Sequence, residues 1–193
     1  MAEQGQGHRN IREQLILAGI SEISQFGLQN FSVRRIAAAC GVSCAAPYKH
    51  FKDRHSFIAA MIEYINAQWG QRQLEILAAY PEDSQRQLVE ISMAYIRFLV
   101  ENPHFRSIIM LKDEGFDAAY HHIRGQMTGL TRSIIGRYCA EVHMDEPTRR
   151  RKTYAVRSLI YGAALMFDNG ELEYCEEDLG FVRDCIQREF DLP

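Results

Sequence analysis

No stretch of this 193-residue chain is apolar for long enough to cross a membrane, so a transmembrane helix is not expected. Cysteine is scarce: Cys40, Cys44, Cys139, Cys175 and Cys185 are odd in number and scattered, which argues against a disulfide framework. With no signal-peptide pattern at the start, the expected location is the reducing cytoplasm. A Pro/Gly/Ser-rich linker is missing, and no segment alternates convincingly as a strand. There is no glycine loop to cradle phosphate and no nucleophile with a base at suggestive spacing, so neither an enzyme nor a cofactor is expected. Metal ligands lack pattern too. Cys40 and Cys44 are four apart without a second His or Cys pair nearby, and the adjacent His121 and His122 would point about 100° apart on a helix.

What is present is a chain of 22.2 kDa with 47% hydrophobic residues, enough to bury a core in one domain or two small ones. The net charge of −3 is unevenly spread. Residues 1–55 hold seven Lys/Arg against four Asp/Glu, a balance of +3, and the remainder holds fifteen against twenty-one, a balance of −6. A basic head on an acidic body suits binding to a polyanion at one end only.

Residues 31–54, FSVRRIAAACGVSCAAPYKHFKDR, carry the strongest pattern. Ser32 stands where an N-cap is wanted, and Val33, Ile36, Ala37 and Cys40 recur at helical intervals up to Gly41. Gly41 can take the left-handed conformation of a tight turn, and Val42 plugs the angle. Ser43 then reads as the cap of a second short helix opening with Cys44, Ala45 and Ala46, small enough for close approach to another surface. This is the layout of a helix-turn-helix, whose second helix enters the DNA major groove. Arg34, Arg35, Tyr48, Lys49, His50, Lys52 and Arg54 surround it as donors suited to phosphate.

With these residues in view, the segment from Arg12 to about Met61 resembles the DNA-binding domain of the TetR family of transcriptional regulators. The resemblance rests on Arg12, Leu15, Ile16, Ala18 and Gly27, then Ser32-Val33-Arg34-Arg35-Ile36-Ala37, Gly41-Val42-Ser43 and Tyr48-Lys49-His50-Phe51, with Arg54 where the family usually has Lys. Two departures stand out. Ala45 and Pro47 replace the usual Gly and Leu before the Tyr, and Pro47 cannot donate a backbone hydrogen bond, which predicts an altered helix start. Ile23 stands where an aromatic is usual, with Phe26 displaced toward Gly27.

The resemblance implies that Ser32, Arg34, Tyr48, Lys49, His50 and Arg54 touch phosphates, while Ser43, Cys44, Ala45 and Ala46 face base edges. Ala and the Cys β-carbon can pack on a thymine methyl but make no bidentate base contact, so direct readout should be thin and DNA shape should carry much of the specificity. Lys49 is the best candidate for a guanine contact. Two heads related by a two-fold axis would read a palindromic double-stranded operator in successive major grooves.

The body reads as helical throughout, giving an all-α chain of about nine helices: a three-helix head, residues 1–55, and a helical effector-binding and dimerisation body, residues 56–193. Asp53 can cap a long helix that runs to a break near Pro81, joining head to body without a tether. Leu88, Ile91, Tyr95, Phe98 and Leu99 form one apolar stripe and Val89, Met93, Ile96 and Val100 another, so that helix should be central. Asn102-Pro103 ends it and starts a short successor over residues 103–111; residues 116–138 read as one long amphipathic helix. Over residues 147–168 two faces are apolar, and a final helix follows.

In the family the body binds a small molecule that repositions the heads, most often in a repressor. That implies a largely apolar cavity lined by Met93, Tyr95, Phe98, Phe105 and Met110, with Phe116, Tyr120, Met127 and Tyr161. It also implies a homodimer through a four-helix bundle, for which Val156, Ile160, Ala163 and Phe167 with Leu179, Val182 and Ile186 are the candidate interface. Two rival readings remain: redox sensing through Cys44, which would alter the DNA face directly, and a helical protein-interaction module that does not read DNA. The basic run Arg149-Arg150-Arg151-Lys152 reads as a solvated helix start.

Overall fold

The computed structural model describes residues 10–109 and 126–192, and within them every regular element is helical. Eight α-helices and two short 3-10 turns make up two compact units. Among the described residues one unit comprises 10–65 and 104–109, the other 66–103 and 126–192. The boundary between these compact units falls after Ile65, inside a helix, and the first unit also takes in a short helix from beyond residue 103.

In the first unit, α1 (Ile11–Phe26) starts at Asn10, whose side-chain oxygen accepts the Arg12 N–H at 3.1 Å, and ends at Gly27 with φ 74°. Leu15, Ile16, Ile20 and Ile23 recur at helical spacing and are buried. Each contributes on the order of 1.5–3 kcal/mol of transfer free energy. Gly19 lies on the same face because a Cβ there would come within 2.7 Å of Met61 Sδ. Helix α2 (Val33–Ala39) turns Ile36 and Ala37 inward. Helix α3 (Arg54–Ala79) supplies Phe57, Ile58, Met61, Ile62 and Ile65 to this core, with Phe51 stacked on Phe57 at 4.0 Å. Asp53 and Ser56 cap α3 reciprocally: Asp53 Oδ1 accepts the Ser56 N–H at 2.8 Å and Ser56 Oγ accepts the Asp53 N–H at 3.0 Å. Helix α5 (Pro103–Ile109) joins this unit by setting Phe105 edge-on to Tyr64, by the Ser107–Ser24 hydroxyl contact at 3.2 Å and by burying Ile108.

The second unit is built round α4 (Ser84–Glu101), which buries Leu88, Val89, Ile91, Met93, Ile96, Phe98 and Leu99 on nearly all sides. It packs on α6 (Gly129–Glu141), α7 (Glu146–Asn169) and α8 (Glu176–Asp191), as its two apolar stripes require. Asp83 caps α4 and Asp145 caps α7; α7 ends at Gly170, φ 72°, with the Glu171 N–H on the Met166 carbonyl at 2.9 Å. The single amphipathic helix expected over residues 116–138 is interrupted by a turn at Met127 and Thr128, and α6 starts anew at Gly129. The Met127 carbonyl accepts the Trp69 indole N–H at 3.2 Å, a tertiary partner that periodicity does not reveal.

Candidate nucleic-acid interface and body cavity

Helix α2 is fixed from both ends. At its start Ser32 Oγ accepts the Arg35 N–H at 3.3 Å, which leaves the hydroxyl proton free to be donated outward. Glu22, only 7% exposed, accepts the Ser32 N–H at 3.2 Å and Arg35 Nε–H at 2.8 Å through the same carboxylate oxygen. Arg35 also donates to the Asn30 carbonyl and lies over the Phe26 ring at 4.5 Å. Its guanidinium is thus occupied within the head, whereas Arg34 is exposed.

At the other end Gly41, φ 66°, makes a left-handed stop. The Gly41 N–H reaches the Ala38 carbonyl at 3.1 Å and the Val42 N–H reaches Ala37 at 3.0 Å, the paired bonds of a Schellman turn.

The segment that follows departs from expectation. Residues 43–50 do not form an α-helix capped by Ser43; they form a turn over residues 44–46 and a 3-10 turn, Pro47–Lys49. Pro47 explains it. An α-helix would need the N–H of residue 47 on the Ser43 carbonyl, and proline has none, so that carbonyl accepts the Ala46 N–H at 2.9 Å instead. Pro47 and Phe51 point inward and are buried. Ser43, Cys44, Ala45, Lys49 and His50 are exposed, Ala46 is half-buried, and Tyr48 is 61% exposed.

A large phenol standing out of a folded head, beside Lys49, His50 and Lys52, is unusual for a core aromatic and suits contact with a polyanion. Asp53 is the nearby carboxylate, and its pKa lies below the ordinary value because it accepts the Ser56 N–H. Arg54 donates to the Leu28 carbonyl and lies over Phe31 at 5.7 Å. Cys40 points its thiol at the Gln14 carbonyl, 3.6 Å away, and burial pushes its pKa up.

The second unit contains a cavity of about 350 Å³. Trp69, then Leu88, Ile91 and Tyr95 of α4, Ile135 and Tyr138 of α6, and Val156 and Ile160 of α7 form its apolar wall. Trp69 is itself held between Tyr95 at 4.8 Å and Phe98 at 5.5 Å. Four cations, Arg132, Arg149, Lys152 and Arg157, also line the cavity, and among its described lining residues there is no Asp or Glu. Lys152 is 7% exposed, and its ammonium donates to the carbonyls of Glu189 at 2.6 Å and Leu192 at 2.5 Å, at the end of α8. Arg149 is paired with Glu146 at 2.6 Å. An outer depression shares Arg149, Thr153, Arg157 and Tyr161 with the cavity and adds Arg150.

Of the residues expected to line an effector cavity, Tyr95, Met127 and Tyr161 stand in the wall of the second unit's cavity. Met93 and Phe98 are buried in the packing of α4, and Phe105 belongs to the other unit beside Tyr64. Met110, Phe116 and Tyr120 lie outside the described residues, as do His121 and His122. Trp69, Leu88, Ile91 and Lys152 line the cavity as well and are outside the expected set. A usable signal was the i, i+4 row Lys152, Val156, Ile160, which sets an ammonium on an apolar helix face.

The residues assigned to a partner chain are placed differently. Ile160, Ala163, Phe167, Leu179, Val182 and Ile186 are covered within the chain, by the mutual packing of α4, α7 and α8, and Val156 lines the cavity. The most exposed large apolar residues of the same two helices are Tyr154 at 75%, Phe181 at 63% and Leu165 at 58%, with Met166 at 37%. Among the described residues no helix is long and apolar enough to cross a membrane, and no group of three or more His, Cys, Asp or Glu could hold a metal ion.

Comparison with known proteins agrees with this geometry. Residues 15–61 match the family model described as bacterial regulatory proteins, tetR family. Nucleoid occlusion factor SlmA from Yersinia pseudotuberculosis is 27% identical over 198 residues, spanning 99% of this chain and 94% of its own. A TetR family transcription regulator from Marinobacter aquaeolei VT8 shares the fold with a TM-score of 0.75 at 17% identity, covering 93% of this chain and 94% of its own. The transcriptional regulator FadR from Bacillus subtilis, solved in complex with stearoyl-CoA, gives 0.69 at 14% identity, covering 91% and 95%. The head, residues 15–61, thus matches the tetR family of bacterial regulatory proteins, and the chain as a whole shares its all-helical fold with a regulator of that family.

Proposed function

We infer that the protein is a cytoplasmic, homodimeric transcriptional repressor that binds a palindromic operator through its heads and is released by a small effector held in the body cavity. The observation that carries the DNA-binding part is the exposed Tyr48 with Lys49 and His50, anchored from behind by buried Pro47 and Phe51. Ser32 and Arg34 at the start of α2 add phosphate donors on the other flank of the turn, and the helix start itself favours an anion. Ser43, Cys44, Ala45 and Ala46 are the base-facing candidates, with little capacity for bidentate readout. Arg54, committed to Leu28 and Phe31, serves the head's packing more than the phosphate.

The cavity supports the effector-responsive part: it is largely apolar, partly enclosed by five helical segments, and of a size at the small end of the roughly 300–1,000 Å³ typical of ligand sites. FadR shares the fold and was solved with stearoyl-CoA, which supports a ligand role for a body of this kind. A dimer would use the exposed stripe of Tyr154, Leu165 and Phe181, since the inward stripe is already covered.

Tyr48→Ala and Lys49→Ala test the docking model. Each is expected to weaken operator binding by tenfold or more with the oligomeric state unchanged; parental affinity in both would contradict it.

A further inference from the structure

We propose that the cavity ligand is an amphiphilic anion, an apolar chain of modest length with a carboxylate-like head, which deepens and rests on the effector-responsive reading above. The cavity residues divide chemically. The walls made by Trp69, Leu88, Ile91 and Ile160 offer only apolar surface, which accepts a hydrocarbon chain and rejects a polar one. Four cations line the same space, without a carboxylate among the described lining residues, although the body outside the head carries a net charge of −6. Positive charge has been gathered here against the overall balance.

Two of these cations say where the head goes. Arg149 and Arg157, with Thr153 and Tyr161, line both the cavity and the outer depression, which sets these two arginines at the boundary between the two spaces. Arg157 has no carboxylate partner among the described residues, and its guanidinium lies 5.9 Å from the Tyr161 ring. Arg149 is held by both carboxylate oxygens of Glu146 at 2.6 Å, so Arg157 is the less compensated of the two. Deeper in the wall, Lys152 keeps a buried ammonium whose partners are the neutral carbonyls of Glu189 and Leu192. The carbonyls at the C-terminal end of α8 satisfy two of its hydrogen bonds and offset part of its charge, and what remains attracts an anion more strongly at low dielectric than it would in water. An alkyl cation would meet a lining with cations and no carboxylate among the described residues, and a neutral alcohol would gain less from that lining than an anion.

Trp69 provides the readout, because it is the only tryptophan of the chain and lies in the cavity wall. Octanoate, octanol and octylammonium share a chain and differ in head charge, and each is titrated into the full-length protein without DNA while Trp69 emission is followed. Octanoate is expected to bind at least tenfold more tightly than octanol, with octylammonium weaker still. The double variant Arg149→Gln/Arg157→Gln is expected to cut that preference to about threefold or less while leaving octanol affinity unchanged; Arg188→Gln, an exposed arginine outside the cavity, keeps the parental preference. Octanol or octylammonium binding as tightly as octanoate, full preference in the double variant, or no saturable change with any of the three would overturn the proposal. The same samples are then mixed with operator DNA. Selective octanoate binding that leaves the DNA complex intact would uphold the anion site and count against effector-driven release, so the two readings fail separately.

Discussion

Glu22 and Arg35, thirteen residues apart in the chain, are joined by a carboxylate oxygen that also accepts the N–H of Ser32, the N-cap of α2. One buried acceptor thus sets both the start of α2 and the direction of an arginine that would otherwise face solvent. Replacing it with glutamine keeps the shape and removes the charge. Glu22→Gln is expected to destabilise the head by about 1–2 kcal/mol, discounted because the Arg35 side chain is 48% exposed, and to weaken DNA binding by misplacing Ser32 and Arg34. Thermal unfolding together with an operator titration checks both effects; an unchanged melting temperature would show that the buried carboxylate does not organise α2.

Gly41 adopts φ 66° with nothing within 4 Å of where a Cβ would stand. The cost of Gly41→Ala is therefore backbone strain alone, about 1–2 kcal/mol. In denaturant unfolding, Gly27→Ala should lose more than Gly41→Ala, because Gly27 pairs φ 74° with ψ 161°, a combination essentially restricted to glycine.

Dimerisation through the exposed stripe makes a different prediction from dimerisation through the inward one. Leu165→Glu and Phe181→Glu should yield folded monomers with normal helical content, read by sedimentation and circular dichroism. Ile186→Glu, fully buried within the chain, should unfold the body instead. Dimers that persist in both surface variants would move the interface elsewhere.

Acid should loosen two helix starts in a defined direction. Asp53 and Asp145 have pKa values lowered below 3.8 by hydrogen bonds from Ser56 and Thr148 respectively. A depressed folded pKa means that the stabilisation is fully present above the ordinary value and is lost as the pH falls through the folded one. Melting temperatures of the parent should fall between about pH 5 and pH 3, and Asp53→Asn and Asp145→Asn, which cap without titrating, should fall less. Equal slopes would mean that other carboxylates govern the acid response.

Much of this fold was legible because its helix ends carry local signals. Ser32, Gly41, Asp53, Pro103 and Gly170 mark boundaries through their own side chains or backbone freedom, and the structure puts boundaries at all of them. The two apolar stripes of α4 likewise predicted a central helix. Failures came where a distant partner decides. Trp69 draws the Met127 carbonyl and accompanies a break that periodicity passes over. Pro47 was noted as a missing donor, yet its full consequence, a turn and 3-10 segment in place of a helix, depended on Ser43 finding another partner in Ala46. For Ile160, Phe167, Leu179 and Ile186, an apolar face looks the same whether its cover comes from the same chain or a second copy. The cavity was only partly foreseen, since Lys152 was read as one of a solvated basic run and Phe105 turned toward Tyr64.

The most direct test is binding of the purified protein to fragments of its own upstream DNA over a salt series, with random DNA as control. Tight binding to one palindromic fragment, with log affinity falling linearly as log salt rises and two chains per site, is the predicted result. Equal, weak binding to every fragment at all salt concentrations would contradict a sequence-reading dimer.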